Sequence, residues 1–225
     1  MKTKVKEFLK SYLLLILIAA MIITVSVINK QSFIKTLPTL ISLFVQVLLV
    51  VADRRAFLVG GLNALLYGLS YTMDGIYFSA ICACLISAPV QIFSFFNWKK
   101  NAEGKKTPLK VLGKGKLSLT VLIILVMWAV VYFGLSRFFA NATLPLVDTL
   151  IFTLGIACTF LSAFRYVDSQ YISLINGGAS LALWIIITVQ NPASLNYVII
   201  SVYNLYRTLQ AAVNWTRQYR NATRQ

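Results

Sequence analysis

Eight apolar stretches follow one another along this chain, at 12–28, 37–51, 56–71, 76–96, 117–135, 144–164, 171–189 and 195–213, and the basic residues fall almost entirely between them. A helix rises about 1.5 Å per residue and the hydrocarbon of a bilayer is about 30 Å thick, so most of these runs can cross it once their flanks are added. The second and third are short and need snorkelling Lys or Arg side chains, local thinning or shelter inside a bundle. Composition points the same way: 59% of the 225 residues are hydrophobic and 12% are charged, about half the charged share of a soluble domain. A soluble protein of this size has no core large enough to hide so much apolar surface. A soluble enzyme, a disordered chain and a disulfide scaffold are excluded. The chain reads as an all-α polytopic membrane protein of eight transmembrane helices.

Lys and Arg number 21 against 6 Asp and Glu, a net charge of +15. Such a surplus can signal nucleic acid or acidic lipid, and its placement decides against nucleic acid. With the N-terminus inside, eight crossings put Lys2, Lys4, Lys6, Lys10, Arg54, Arg55, Lys99, Lys100, Lys105, Lys106, Lys110, Lys114, Lys116, Arg165, Arg207, Arg217, Arg220 and Arg224 on the inner side. Only Lys30, Lys35 and Arg137 fall outside. This asymmetry marks cytoplasmic segments, and a missed or extra helix would scramble it. Both termini are expected in the cytoplasm. Ala19-Ala20 is followed by more apolar residues rather than a cleavage site, so the first run is expected to be a retained helix. Cys82, Cys84 and Cys158 lie within apolar runs and read as packing, not as disulfides or a metal site. Matches to Asn-x-Thr at Asn141, Asn214 and Asn221 read as chance.

Two segments resemble each other. Leu37-Pro38 opens one and Leu144-Pro145 the other. Ser42 and Gln46 follow the first proline at helical spacing, and Thr149 and Thr153 the second, so each opening helix carries a polar stripe. Asp53-Arg54-Arg55 matches the turn from Arg165 to Asp168. Gly60-Gly61 with Asn63 matches Asn176 with Gly177-Gly178, and Asn97-Trp98 matches Asn214-Trp215. A three-helix repeat leaves the chain on the far side of the membrane. A second copy the same way up therefore needs one extra crossing, which 117–135 supplies. The expected architecture is 1+3+1+3: an extra helix (1–36), a first repeat (37–100), a basic loop and linking helix (101–140) and a second repeat with a basic tail (141–225). Parallel repeats of this kind share a cleft near the midplane.

Polar side chains inside the spans must find a partner, line a cavity or cost stability. Any one of Asn63, Gln91, Asn176 and Asn204 could serve an interhelical hydrogen bond. Together with Ser42, Gln46, Thr149 and Thr153 they point to a neutral polar cavity, whose amides suit an uncharged ring or sugar hydroxyls. Tyr67, one turn after Asn63, and Trp184, two turns after Asn176, are placed to stack a planar ligand. Trp98, Trp215, Phe95 and Phe96 read as an interfacial belt. Pro89 removes a backbone bond to Leu85, as a hinge or a static kink. No carboxylate sits clearly at mid-depth and histidine is absent, which leaves a proton relay little to work with. Asp148 reads as a helix N-terminal charge or a substrate contact. Arg207 can snorkel, pair with Asp168 or touch substrate. Catalytic constellations and metal-ligand motifs are missing, and no cofactor is implied.

The run Gly61-Leu62-Asn63-Ala64-Leu65-Leu66-Tyr67-Gly68, the segment from Pro89 to Lys100 (PVQIFSFFNWKK), Asp148-Thr149-Leu150 and Asn214-Trp215 resemble the PnuC family of bacterial vitamin transporters, over about 37–217. The resemblance implies a SWEET-like fold in the bacterial cytoplasmic membrane and facilitated uptake of an aromatic vitamin or nucleoside, nicotinamide riboside first. A cytoplasmic kinase would trap the substrate. Relatives that carry thiamine, riboflavin or deoxynucleosides keep those substrates open. So does a role as the binding component of a multi-subunit importer, and so does a homo-oligomer. Family members often show Trp-x-x-Trp before the seventh-span asparagine. Here those positions fall near Ser169 and Ile172, so the stacking platform expected for nicotinamide riboside is either absent or supplied by Tyr171 or Trp184.

Overall fold

The computed structural model describes residues 2–104, 107–135, 138, 139 and 142–224, with side chains from residue 13 onward except at 135. Lys105, Lys106, Arg137 and Asn141, and the side chains of Lys2, Lys4, Lys6 and Lys10, lie outside the described residues. The chain forms helices α1 (Lys2–Ile28), α2 (Phe33–Val50), α3 (Arg55–Met73) and α4 (Tyr77–Lys100). They are followed by α5 (Lys114–Val130, continued by a π turn over Val131–Leu135), α6 (Pro145–Ala163), α7 (Asp168–Gln190) and α8 (Leu195–Ala222). Six of them, α2 to α7, are long and apolar enough to cross a membrane. The described apolar part of α1, Leu13–Ile28, is shorter, and α8 does not meet that apolar standard. The protein is thus an α-helical polytopic membrane protein.

Neighbouring helices close a ring. α2 packs on α3 and α3 on α4; α6 packs on α7 and α7 on α8; α4 meets α6, and α8 returns to α2. The last helix of each triplet, α2–α4 or α6–α8, therefore lies on the first helix of the other. α1 sits outside, against α2 and α8, and α5 packs outside on α6. Most of α5's residues are exposed, and the exposed ones are largely apolar, Leu119, Leu122 and Val130 among them, as a lipid-facing helix requires.

Four helices end the same way. The last four carbonyls of a helix lack intrahelical partners. After α2, the N–H of Ala52 donates to Leu49 O (3.0 Å) and that of Asp53 to Leu48 O (3.0 Å). After α6, Arg165 donates to Ser162 O (3.0 Å) and Tyr166 to Leu161 O (2.9 Å). This is the Schellman closure, which needs a left-handed residue. Ala52 (φ 56°) and Arg165 (φ 70°) supply it without glycine. α1 closes likewise through Lys30 and α3 through Gly75. In the α2–α3 turn the Arg55 side chain and backbone N–H donate to Asp53 and hold its carboxyl below the usual carboxylate range.

The opposite end is tied by polar groups. Lys35 pairs with Asp74, and the Gln31 side chain reaches Ala193 O and Asn196. Asp148, in the first turn of α6, is fully buried and caps another helix. Its carboxylate accepts from the N–H groups of Phe78 and Ser79 (both 3.0 Å) and from the Ser79 hydroxyl. It thereby satisfies orphan donors at the start of α4. The Asp148→Ala variant would leave two buried N–H groups without an acceptor. We expect it to lose on the order of 1–3 kcal/mol for each, measurable by thermal denaturation in detergent, with Asp148→Asn losing less.

Candidate functional site

Inside the ring lie two adjoining chambers of about 280 Å³ and about 300 Å³. Both are lined by Gln46, Leu49, Tyr67, Tyr71, Gln91, Asn176 and Ser180, so they adjoin in the space between the triplets. The first chamber adds Trp184, Tyr197, Asn204, Ser201, Ser173, Gln170, Thr208, Thr159 and Ser162; the second adds Ser42, Asn63, Ser79, Cys82 and Ser87. Among the described residues that line this space there is no Lys, Arg, Asp or Glu.

Seven of the nine candidate binding residues border it: Gln46, Asn63, Tyr67, Gln91, Asn176, Trp184 and Asn204. Asn63 donates to Pro38 O (3.0 Å) and to the Ser42 hydroxyl (3.1 Å), and Ser42 donates to Tyr67 (2.9 Å). The amide oxygens of Asn63, Asn176 and Asn204 are buried and have no protein partner. An unpartnered buried acceptor costs about 1–3 kcal/mol unless a ligand or water supplies a donor. At the end away from the basic turns, Tyr67, Tyr71, Trp184 and Tyr197 form an aromatic wall. Ring centroids are 5.3 Å apart for Tyr67–Tyr71, 5.9 Å for Tyr71–Trp184 and 4.0 Å for Trp184–Tyr197.

Thr149 and Thr153 are fully buried but line neither chamber. Their hydroxyls donate back into α6, to Pro145 O (2.8 Å) and Leu150 O (3.0 Å). The reason is register. Pro145 occupies the first turn of α6, whereas Pro38 lies inside α2, so matching the prolines slides one helix against the other. Matched at their Schellman turns, Gln46 pairs with Thr159, and both line the space. Thr159 and Ser162 are residues that the proline match passes over. Within the next two helices of each triplet one constant interval holds: Asn63 pairs with Ser180, Tyr67 with Trp184, Ser87 with Asn204 and Gln91 with Thr208, and all eight line the space.

The Trp-x-x-Trp positions leave the site. Ser169 is fully buried and donates to Tyr166 O, and Ile172 packs with Ile124, Leu154 and Cys158. Tyr171 is half exposed and meets Thr216, so the aromatic side chain that α7 gives the chamber is Trp184. Arg207 donates to the Tyr203 hydroxyl (2.9 Å) and to Gln210 (2.9 Å), while Asp168 accepts from Leu112 N–H (2.8 Å). Pro89 follows a π-helical stretch, Cys82–Ser87, whose Cys82, Ala83 and Ser87 line the space. The wider π turn carries the chain to the proline and turns these side chains inward. Trp98 and Trp215, expected in an interfacial belt, are fully buried instead. Phe96 is exposed.

A family model described as "Nicotinamide mononucleotide transporter" matches residues 32–217. No curated protein sequence matches significantly. The solved structure titled "Crystal structure of the Vitamin B3 transporter PnuC" is similar over 94% of this chain and 92% of that one, with a TM-score of 0.80 and 20% identity. That likeness concerns the fold.

The two glycine pairs separate a close approach from open space. A Cβ on Gly61 would lie 3.2 Å from Ala88 O and 3.3 Å from an Ile92 carbon, whereas one on Gly178 meets nothing within 4 Å. Gly178→Ala should therefore gain about 1 kcal/mol from helix propensity. Gly61→Ala should lower thermal stability, because a backbone carbonyl cannot step aside. Paired melting curves check both.

Proposed function

The chain belongs to the nicotinamide mononucleotide transporter family, and from that membership, which makes it a transporter and not an enzyme, we propose that it is a facilitator for nicotinamide riboside. The observation that carries this reading is the chamber between the triplets, with no charged side chain among its described lining residues and with Asn63, Asn176 and Asn204, whose amide oxygens have no protein partner, on its lining. A riboside brings hydroxyl and carboxamide donors to such oxygens. A pyridinium ring suits the faces of Tyr67 and Trp184. A phosphate would enter without a cation to meet it, and burying an unpaired charge is costly. The chamber thus favours the riboside over the mononucleotide.

In this reading all eight helices cross the membrane as 1+3+1+3, with parallel triplets, both termini in the cytoplasm and the chain in the bacterial cytoplasmic membrane. The ring supports α8 as a span, since it fills a place between α2 and α7. Its polarity follows from facing the chamber. Rocking of one triplet against the other, with Pro89 and its π turn as hinge, would alternate access. A cytoplasmic kinase would keep the gradient inward by phosphorylating what arrives. A second reading, a neutral nucleoside such as a deoxynucleoside, draws support from there being no carboxylate opposite a pyridinium among the described lining residues.

Both readings are tested by uptake into cells that lack other vitamin carriers, with labelled nicotinamide riboside, its mononucleotide, thiamine, riboflavin and deoxynucleosides. Saturable uptake of the riboside and not of the mononucleotide is expected. Asn176→Ala and Trp184→Ala should each weaken it by about tenfold or more, the equivalent of one lost hydrogen bond or ring contact. Uptake of a deoxynucleoside alone would install the second reading, and no saturable uptake of any compound would remove both. Transport by the purified protein in liposomes would exclude a need for an energising partner subunit.

A further inference from the structure

The Asn-Trp pairs near the ends of α4 and α8 are a repeated motif that lines neither chamber. Each reaches across to the other triplet. The Trp98 indole N–H donates to Ser162 O (2.9 Å) and the Asn97 amide to Ala163 O (2.8 Å), at the end of α6. The Trp215 indole donates to Leu49 O (2.8 Å) and the Asn214 amide to Val50 O (3.3 Å), at the end of α2. The acceptors are equivalent carbonyls of equivalent helix ends. In each end the Schellman bonds occupy the two carbonyls before the last, and the asparagine takes the last one, which that closure does not reach. The two indoles meet on the axis between the triplets with centroids 5.4 Å apart, and Phe57 packs on Trp98 at 4.8 Å. Both indoles are fully buried.

This clasp is the floor of the chamber. Leu49 and Ser162, whose carbonyls accept the indole bonds, line the first chamber, as does Phe57. Below it, 107–113 crosses the same end: Lys110 exchanges backbone bonds with Arg165 and Val167 (2.9 and 2.8 Å), and Leu109 packs against the tryptophan cluster. Arg54, Lys99, Lys100 and Arg217 flank this end, so it is the basic end of the molecule.

We infer that Asn97, Trp98, Asn214 and Trp215 are the gate residues that close the basic end of the chamber. Because each pair joins the last helix of one triplet to the first helix of the other, the triplets cannot part at this end while either clasp holds. Opening breaks four side-chain bonds and separates two rings, and the Schellman bonds remain to hold each helix end intact. The device is bistable for that reason: the bonds that break are all between triplets and those that persist are all within them. The purpose assigned to the gate rests on the carrier reading, but its geometry does not.

Access, not flux, tests it. Cys158 lines the first chamber and can serve as the sole thiol after Cys82→Ala and Cys84→Ala. Right-side-out and inside-out membrane vesicles are treated with a membrane-impermeant maleimide, and a separate Lys100→Cys protein reports which vesicles expose the basic end. The Asn97→Ala/Asn214→Ala double variant should be labelled at Cys158 from the basic side at least tenfold faster than the parent. Trp98→Phe/Trp215→Phe, which keeps an aromatic ring at each place but removes the N–H donors and trims the ring contact, should follow in the same direction. Val167→Ala, which trims the same apolar cluster without touching a clasp bond, should not. Unchanged labelling in both double variants, or equal acceleration in Val167→Ala, would overturn the gate. Labelling needs no substrate, so a gate that opens in a protein that moves no vitamin would convict the carrier reading alone.

Discussion

Inside a bilayer a polar group has only the protein to bond with, and this molecule divides its polar groups into two populations. At the ends of α2 and α6 the final carbonyls are met in full, by turns that use non-glycine left-handed residues and by side chains from the opposite triplet. At mid-depth the amide oxygens of Asn63, Asn176 and Asn204 are left open. Buried polar atoms without a partner also occur at helix ends, Arg165 Nε after α6 and Asp74 Oδ2 after α3 among them, so what sets the three amides apart is that their residues line the space between the triplets.

The ring also explains the uneven hydrophobicity of the helices. α5 lies outside it and shows lipid an apolar surface nearly all round. α8 lies within it and presents Ser201, Asn204 and Thr208 to the chamber. Those three polar residues are accounted for by what they face. The same holds for the short second and third runs, whose helices shelter between ring neighbours as the length argument requires.

Much of this was legible in the sequence, because lipid imposes a long apolar run on each crossing and the basic loops mark the ends. The amides and Tyr67 could be found as polar or aromatic groups at helical spacing inside such runs. Thr149 and Thr153 could not be placed, since a Leu-Pro dipeptide looks alike at the start of a helix and inside one. A shift of register on a helix turns every side chain to another face. The equivalent turns after α2 and α6 held the better register, but their left-handed residues are Ala52 and Arg165 and carry no glycine signal. Trp98 and Trp215 follow apolar runs and precede basic residues in the sequence, which is where an interfacial belt is expected. Only the carbonyls across the axis show that they point inward, and those belong to the other triplet, far away in sequence.

Asp148 bears on the source of the driving force. It is a fully buried acid within α6, and it is consumed at the N-terminus of α4, with Phe78, Ser79 and the serine hydroxyl as its donors. Ser79 lines the second chamber, yet the carboxylate behind it does not. With histidine absent from the chain and no charged side chain among the described lining residues, the chamber offers no group that could take up a proton on one side and release it on the other near neutral pH. Any coupling through Asp148 would act on the cap of the helix that carries Gln91 and Trp98.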